Sequence, residues 1–241
     1  MLVHPKAFLM IEKILLSLNT IKNTILRRIY SHLKRKRVSL NGVTYQFDLR
    51  LDKNIINMVM GSYGRDIVRL MKKYLSDSDA FIDVGANIGY LTFVAAGLVG
   101  KRGQVHAFEP MRIYFDYLRK FGLDNPDRNI IANNVGLGDT STVKKMDYAI
   151  DNIGVNTFIE GVIDDSNPAK RTVENIPIIT FDDYTKNHSI GHVGLIKIDT
   201  EGYEYFVLQG MREFLMNNKP PIIVEVNSYA MEKFRGGGEY E

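Results

Sequence analysis

Phe81-Ile82-Asp83-Val84-Gly85-Ala86-Asn87-Ile88-Gly89-Tyr90-Leu91-Thr92 joins a short apolar run to a longer periodic one through two glycines. Such a run, ending in a glycine turn and opening into helical periodicity, predicts a strand–turn–helix unit of a parallel sheet. Without a Cβ at 85 and 89, a ligand can approach the backbone closely, and a helix opening after Gly89 offers unpaired N–H groups at its positive end. A dinucleotide fingerprint would need a third glycine where Asn87 stands, to close around a pyrophosphate. Asp83 also opposes an anionic diphosphate. The plainer reading of the same glycines is close strand-to-helix packing alone.

Outward from this unit, short apolar runs alternate with longer periodic segments, the signature of a parallel sheet with crossover helices. Strands are predicted at 80–84, 104–109, 129–135, 194–199 and 221–226, and helices near 89–99, 111–122 and 203–217. The fold class is therefore α/β: a mostly parallel sheet with helices on both faces. Runs 80–84, 194–199 and 221–226 carry little charge before their last residues, so they are expected at the sheet centre, with their C-terminal ends lining the site. Residues 139–180 break the alternation with Gly154, Gly161, Pro168 and Pro177 among β-favouring residues, which predicts a strand-rich insertion. Before the sheet, Val38–Leu49 reads as a hairpin around Asn41-Gly42, followed by helices at 53–60 and 63–75. The second of these places Ile67, Leu70, Met71, Tyr74 and Leu75 on one face. The expected organisation is a basic amphipathic arm at 1–37, a hairpin and helical cap at 38–78, and the main domain at 79–241.

The chain has 241 residues, 45% hydrophobic and 24% charged, enough apolar material for a packed core. It has no cysteine, which excludes disulfides, thiolate zinc sites and a cysteine nucleophile and suits a reducing compartment. Residues 1–37 carry nine Lys/Arg against Glu12 alone, a net +8 that leaves −5 for the rest of a chain whose formal charge is +3. Ile14, Leu18, Ile21, Ile25 and Ile29 recur at helical spacing within that arm. Its apolar stretch from Phe8 to Leu18 is broken by Glu12 and Lys13 and falls short of the roughly 20 residues that span a bilayer. It also lacks the layout of a signal peptide. Three readings of the arm stand, in decreasing order: docking on its own domain or a partner subunit, peripheral contact with an anionic membrane, and contact with nucleic-acid phosphates. A cytoplasmic location follows, with the inner membrane surface as the peripheral alternative. Oligomeric state is open.

Glu109 ends the second strand, twenty positions beyond Gly89, where a carboxylate can accept hydrogen bonds from both ribose hydroxyls. A nucleoside bearing a sulfonium suits Asp83 and Glu109 better than one bearing phosphates, and S-adenosyl-L-methionine is such a molecule. The turn Asp199-Thr200-Glu201-Gly202-Tyr203-Glu204 sits at another strand end, where a positioned carboxylate can take the proton of an attacking hydroxyl. Asp199 is the first choice. Alternatively, Asp199 or Thr200 caps the following helix. Glu201 is a second catalytic candidate, as base or as half of a metal site with Asp199, but two acids are an incomplete ligand set and no metal is assigned. Glu225, inside an apolar strand, is expected near substrate or paired with a cation. His188 and His192 read as loop residues, His106 as a satisfied polar group, and no nucleophile elbow supports acyl transfer.

Together FIDVGANIGYLT (81–92), VHAFEP (105–110), NNVGLGD (133–139), IKIDTEGYE (196–204) and IIVEVN (222–227) resemble FkbM-type methyltransferases over residues from roughly 40 to 227. The resemblance implies S-adenosylmethionine as cofactor on a class I Rossmann-like fold, and methylation of hydroxyls on sugars, glycans or polyketide-type natural products. It places Asp83, Gly85, Asn87 and Gly89 around the methionine moiety, Glu109 on the ribose, and Asn134 and Val135 by the adenine. The family sheet normally adds a hairpin after its fifth strand, yet fourteen residues follow Asn227. The expectation is a truncated product, or an edge completed by the N-terminal hairpin or another subunit. Two alternatives accompany the small-molecule or glycan acceptor: a cofactor-binding protein without transfer activity, and an RNA or lipid-linked substrate recruited by the arm.

Overall fold

The computed structural model describes residues 34–49, 55–149 and 171–226. The predicted amphipathic arm up to residue 33, the middle of the 139–180 insertion and the chain from Asn227 onward lie outside the described residues. The described chain divides into two compact units: residues 34–36, 46–49 and 55–63, and residues 37–45, 64–149 and 171–226. Everything that positions the candidate site belongs to the second unit.

Chain order begins with β1 (Arg35–Leu40), β2 (Val43–Asp48), α1 (Ile55–Val59) and α2 (Arg65–Tyr74). The first βαβ units then follow as β3 (Ala80–Val84), α3 (Tyr90–Val99), β4 (Gln104–Phe108), α4 (Arg112–Asp124) and β5 (Asn129–Asn133). Next come β6 (Gly136–Leu137), β7 (Thr142–Ala149), β8 (Arg171–Ile179) and α5 (Phe181–Asn187). The described chain closes with β9 (Val193–Ile198), α6 (Glu204–Gln209), α7 (Arg212–Asn218) and β10 (Ile222–Val224). Five strands form one parallel sheet in the order β10-β9-β3-β4-β5, as the alternation predicts. The order reverses between β3 and β9, and at such a switch point the loops leave to opposite sides and open a crevice at the strand C-termini.

Strand periodicity distributes the core. Ile82 and Val84 join Ile196 and Ile198 on one face, where Phe181 and Tyr184 of α5, Val207 of α6 and Met211 cover them. On the other face Ala107 packs with Leu118 of α4, and α3, apolar nearly all round, is buried along almost its whole length. The hairpin turn Asn41-Gly42 forms with both residues at positive φ, 48° and 79°. Tyr45 from its second strand packs between Phe93 and Phe121, at 5.9 and 5.1 Å between ring centroids. Its hydroxyl donates to the carbonyl of Ile88 in the glycine loop.

Four expectations are corrected. Residues 221–226 do not lie at the sheet centre: β10 is the edge strand among the described residues, with Ile222 exposed, and β4 takes the inner place beside β3. The hairpin does not complete that edge, because β1 and β2 pair only with each other among the described residues. The predicted helix 203–217 is two helices. Gly210 packs so closely on the chain at Gly138 that a Cβ would overlap its carbonyl, and Asp182 accepts from Glu213 N and Phe214 N at 3.0 and 2.9 Å, giving α7 its own N-terminal cap. Of the apolar face expected on α2 and its C-cap, Met71 and Leu75 are buried, while Leu70 and Tyr74 are exposed. Following β5 in the chain, β7 and β8 pair antiparallel and β8 also pairs with β6, forming a separate three-stranded sheet. Among the described residues no helix is long and apolar enough to cross a membrane.

Candidate active site

The C-terminal ends of β3, β4, β9 and β10 bring together the glycine loop, Glu109, the acidic turn and Glu225. At the β3 end, Gly85 has φ 71°, and a Cβ there would overlap the carbonyl of Asp199, so two strand ends approach backbone to backbone. Gly89, at φ 86°, precedes α3, and its Cβ would lie 2.6 Å from Leu118 Cδ2.

The loop spends its own amides. Gly85 N and Ala86 N donate to Phe108 O at 3.0 Å each, and Gly89 N donates to Ala86 O at 2.9 Å. Asn87 N donates to Glu109 Oε2 at 2.8 Å, and Ile88 N to Asn87 Oδ1 at 2.7 Å. No nest of free N–H groups is left at 85–89 for a diphosphate, in accord with the missing third glycine.

Glu109 is buried, with Oε1 accepting from Met111 N and Oε2 from Asn87 N, both at 2.8 Å. Burial pushes its carboxyl up to about 7, against the opposing pull of those two amides and Lys197. Each oxygen keeps a lone pair for a hydroxyl donor. Asn134 donates to the carbonyls of Glu109 and Pro110 at 3.0 and 2.8 Å, tying the end of β5 to this turn. Val135 packs on the core beneath α5.

Asp83 is fully buried, and its carboxylate faces inward: Oδ2 accepts from Thr92 Oγ1 at 2.7 Å, and Oδ1 lies 3.4 Å from Lys197 Nζ. Lys197 stands directly opposite Asp83 in the β3–β9 register and two residues before Asp199, hence on the same strand face. Its ammonium, itself buried, also lies 3.4 Å from Asp199 Oδ2 and donates to Gly85 O at 2.6 Å and Val84 O at 3.2 Å. Burial alone would lower its proton affinity, but the charges of Asp83 and Asp199 outweigh that and raise it, so the ammonium is charged. For Asp199 burial pushes up, and Lys197 with the Glu225 hydrogen bond outweighs it, holding the carboxyl below the ordinary range.

The acidic turn is closed by Glu204, whose Oε1 accepts from Thr200 N, Thr200 Oγ1 and Gly202 N at 2.8, 3.0 and 3.1 Å. Glu201 and Gly202 take positive φ, 54° and 102°. Neither Asp199 nor Thr200 is the N-cap of α6, which is Tyr203. Of the two expectations for Glu225, pairing with a cation is not what the structure shows: it lies one residue past β10, exposed, at the candidate site, and its hydrogen-bond partner is the Asp199 carboxyl. Its hydrogen bond with Asp199, then burial and the charges of Asp199 and Glu201, push its carboxyl up to about 8. One oxygen from each of Asp199, Glu201 and Glu225 lies within 4.8 Å of the others. Asp199 is thus compensated by Lys197 and hydrogen-bonded to Glu225.

Lys197 and Glu204 were not singled out from sequence. A signal existed for Lys197, the lone cation in a strand otherwise apolar on both faces. Asp83, Gly85, Asn87, Gly89, Glu109, Asp199 and Glu201 lie at the ends of neighbouring strands, Asn134 is bonded to the Glu109 turn, and Val135 packs on the core.

A family model described as the methyltransferase FkbM domain matches residues 83–238. The hexuronic acid methyltransferase AglP of Haloferax volcanii is 28% identical over 170 residues, covering 68% of this chain, and the chain spans 62% of that relative's length. Among solved structures, methyltransferase FkbM from Methylobacillus flagellatus KT aligns with a TM-score of 0.43 at 18% identity, covering 71% of this chain and 43% of that one. M. jannaschii TYW2, crystallised with AdoMet, aligns with a TM-score of 0.32 at 23% identity, covering 44% of this chain and 48% of that one.

Proposed function

Because the chain belongs to the FkbM methyltransferase family, we propose that its site binds S-adenosyl-L-methionine and directs the methyl group to a hydroxyl of a sugar or glycan. The observation that carries this reading is the combination at the β3 and β4 ends: loop amides spent internally, beside a buried carboxylate with lone pairs to spare. That donor set disfavours a diphosphate and suits a ribose diol. The acids Asp83, Asp199 and Glu201 at the strand ends suit a cationic sulfonium.

In this reading Gly85, Asn87 and Gly89 line the methionine moiety and Glu109 takes the ribose hydroxyls. Asp83 acts through Thr92 and Lys197, and Asn134 and Val135 support the adenine side. The bound cofactor supplies an electrophilic methyl group on a good leaving group, so the protein's task is to align the acceptor oxygen and remove its proton. Asp199 accepts that proton, with Glu201 flanking the acceptor.

Hexuronic acids are the first acceptors to test, since the Haloferax relative is a hexuronic acid methyltransferase. The test is incubation with S-adenosylmethionine and glucuronic acid, galacturonic acid, glucose or N-acetylglucosamine, followed by mass spectrometry of the acceptor. A gain of one methyl mass, abolished by Asp199→Asn, is expected. Cofactor binding with no methylated acceptor in the panel would overturn the sugar assignment and leave a cofactor-binding protein without transfer.

A further inference from the structure

The Lys197 side chain touches both halves of the site. Its ammonium donates to the carbonyls of Val84 and Gly85 on the cofactor side and lies 3.4 Å from Asp199 on the acceptor side, with Asp83 at the same distance behind it. Burying an ammonium is costly unless it is paired and its hydrogen bonds are made, and here two carboxylates and two carbonyls surround it. The strand register makes the placement unavoidable, because Asp83 is opposite Lys197 and Asp199 follows two residues later on the same face.

We propose that Lys197 is a positioning residue for methyl transfer, fixing the Gly85 turn in the shape the cofactor needs and keeping Asp199 ionised as proton acceptor. This rests on the methyltransferase reading above. Without the cation, Asp199 faces the acids Glu201 and Glu225 from its own turn and from the neighbouring strand end, and Asp83 on β3. Burial and these charges would then favour its protonated form, in which it cannot take the hydroxyl proton.

The test uses the full chain labelled with 13C at aspartate side-chain carboxyls, titrated by NMR, with Asp199→Asn assigning the resonance. Wild type should show Asp199 titrating below the ordinary aspartate range, and Lys197→Met should move it above that range, while Lys197→Arg keeps it low. Since Lys197→Met strands a buried carboxylate and can unfold the chain, Asp83→Asn with Lys197→Met provides a second variant that neutralises both buried partners. Calorimetry on the same proteins reads the other half of the role. The affinity for S-adenosylhomocysteine should weaken about tenfold or more in the double variant, as the charged bond to Gly85 is lost. An Asp199 titration unmoved by loss of Lys197, or an unchanged affinity for S-adenosylhomocysteine, would overturn the positioning role. Failure of wild type to bind S-adenosylhomocysteine would instead count against the methyltransferase reading, and the carboxyl titration would still be readable.

Discussion

The glycine loop at the end of β3 and the acidic turn at the end of β9 are neighbours built on opposite plans. In the loop every amide from 85 to 89 is committed and Asp83 is sealed under Thr92 and Lys197. In the turn the backbone is also locked, by Glu204, yet three carboxyl groups converge with Glu225 exposed. One region is a cradle whose shape is fixed; the other is a group of acids whose protonation can change. Shape and proton affinity thus reside on adjacent strands and meet at Lys197.

The comparison breaks first at Gly85. Gly85→Ala combines a side chain at positive φ with overlap on Asp199 O, and should destabilise the chain by about 4 kcal/mol and abolish S-adenosylhomocysteine binding, as read by urea unfolding and calorimetry. Full binding in that variant would mean that the cradle is not rigid.

Glu109 comes next, because its carboxyl is pushed up to about 7 by burial. Between the ordinary 4.5 and about 7 the native state holds a proton the unfolded chain has released, so stability is fully present below that window and lost as pH rises through it, by about 3 kcal/mol. Glu109→Gln should flatten the slope in unfolding experiments across that range. Ribose hydroxyls donate to the ionised carboxylate, so the affinity for S-adenosylhomocysteine should strengthen as pH rises through about 7. A pH-independent affinity would separate Glu109 from the ribose.

Smaller effects belong to the turn. Glu204→Ala removes three hydrogen bonds to one carboxylate oxygen and should lower stability by about 2 kcal/mol while leaving the Glu109-linked slope intact. Glu225→Gln, at an exposed position, should change stability by about 0.5 kcal/mol or less. It should nonetheless remove from 13C spectra a glutamate titrating near 8. If that glutamate titrates between 4 and 5 in wild type, the turn is not tuned as the contrast requires.

The contrast also explains what the sequence made legible. Gly85, Gly89 and Glu109 were readable because backbone conformation and strand spacing fix them locally. The DTEGYE turn stood out by its acids, but which acid did what depended on register: Glu204, not Asp199 or Thr200, closes the turn, and Glu225 finds Asp199 only because β10 lies against β9. Lys197 stayed hidden because a lone lysine in an apolar strand has meaning only once Asp83 is known to sit opposite. The misplacement of 221–226 has the same origin, since an apolar run shows that a strand is covered but not by what. The split at Gly210 depended on Gly138 and Asp182, both remote in sequence.

The most direct measurement of the central claim is thermal unfolding of the full chain with S-adenosylhomocysteine, with NAD as comparison and Glu109→Ala as control. At one hundred times the dissociation constant the homocysteine product should raise the midpoint by about 5–10 °C, with no shift from NAD and none in the variant. No shift in a folded wild-type chain, or an equal shift with NAD, would contradict a loop built to receive a sulfonium nucleoside rather than a diphosphate.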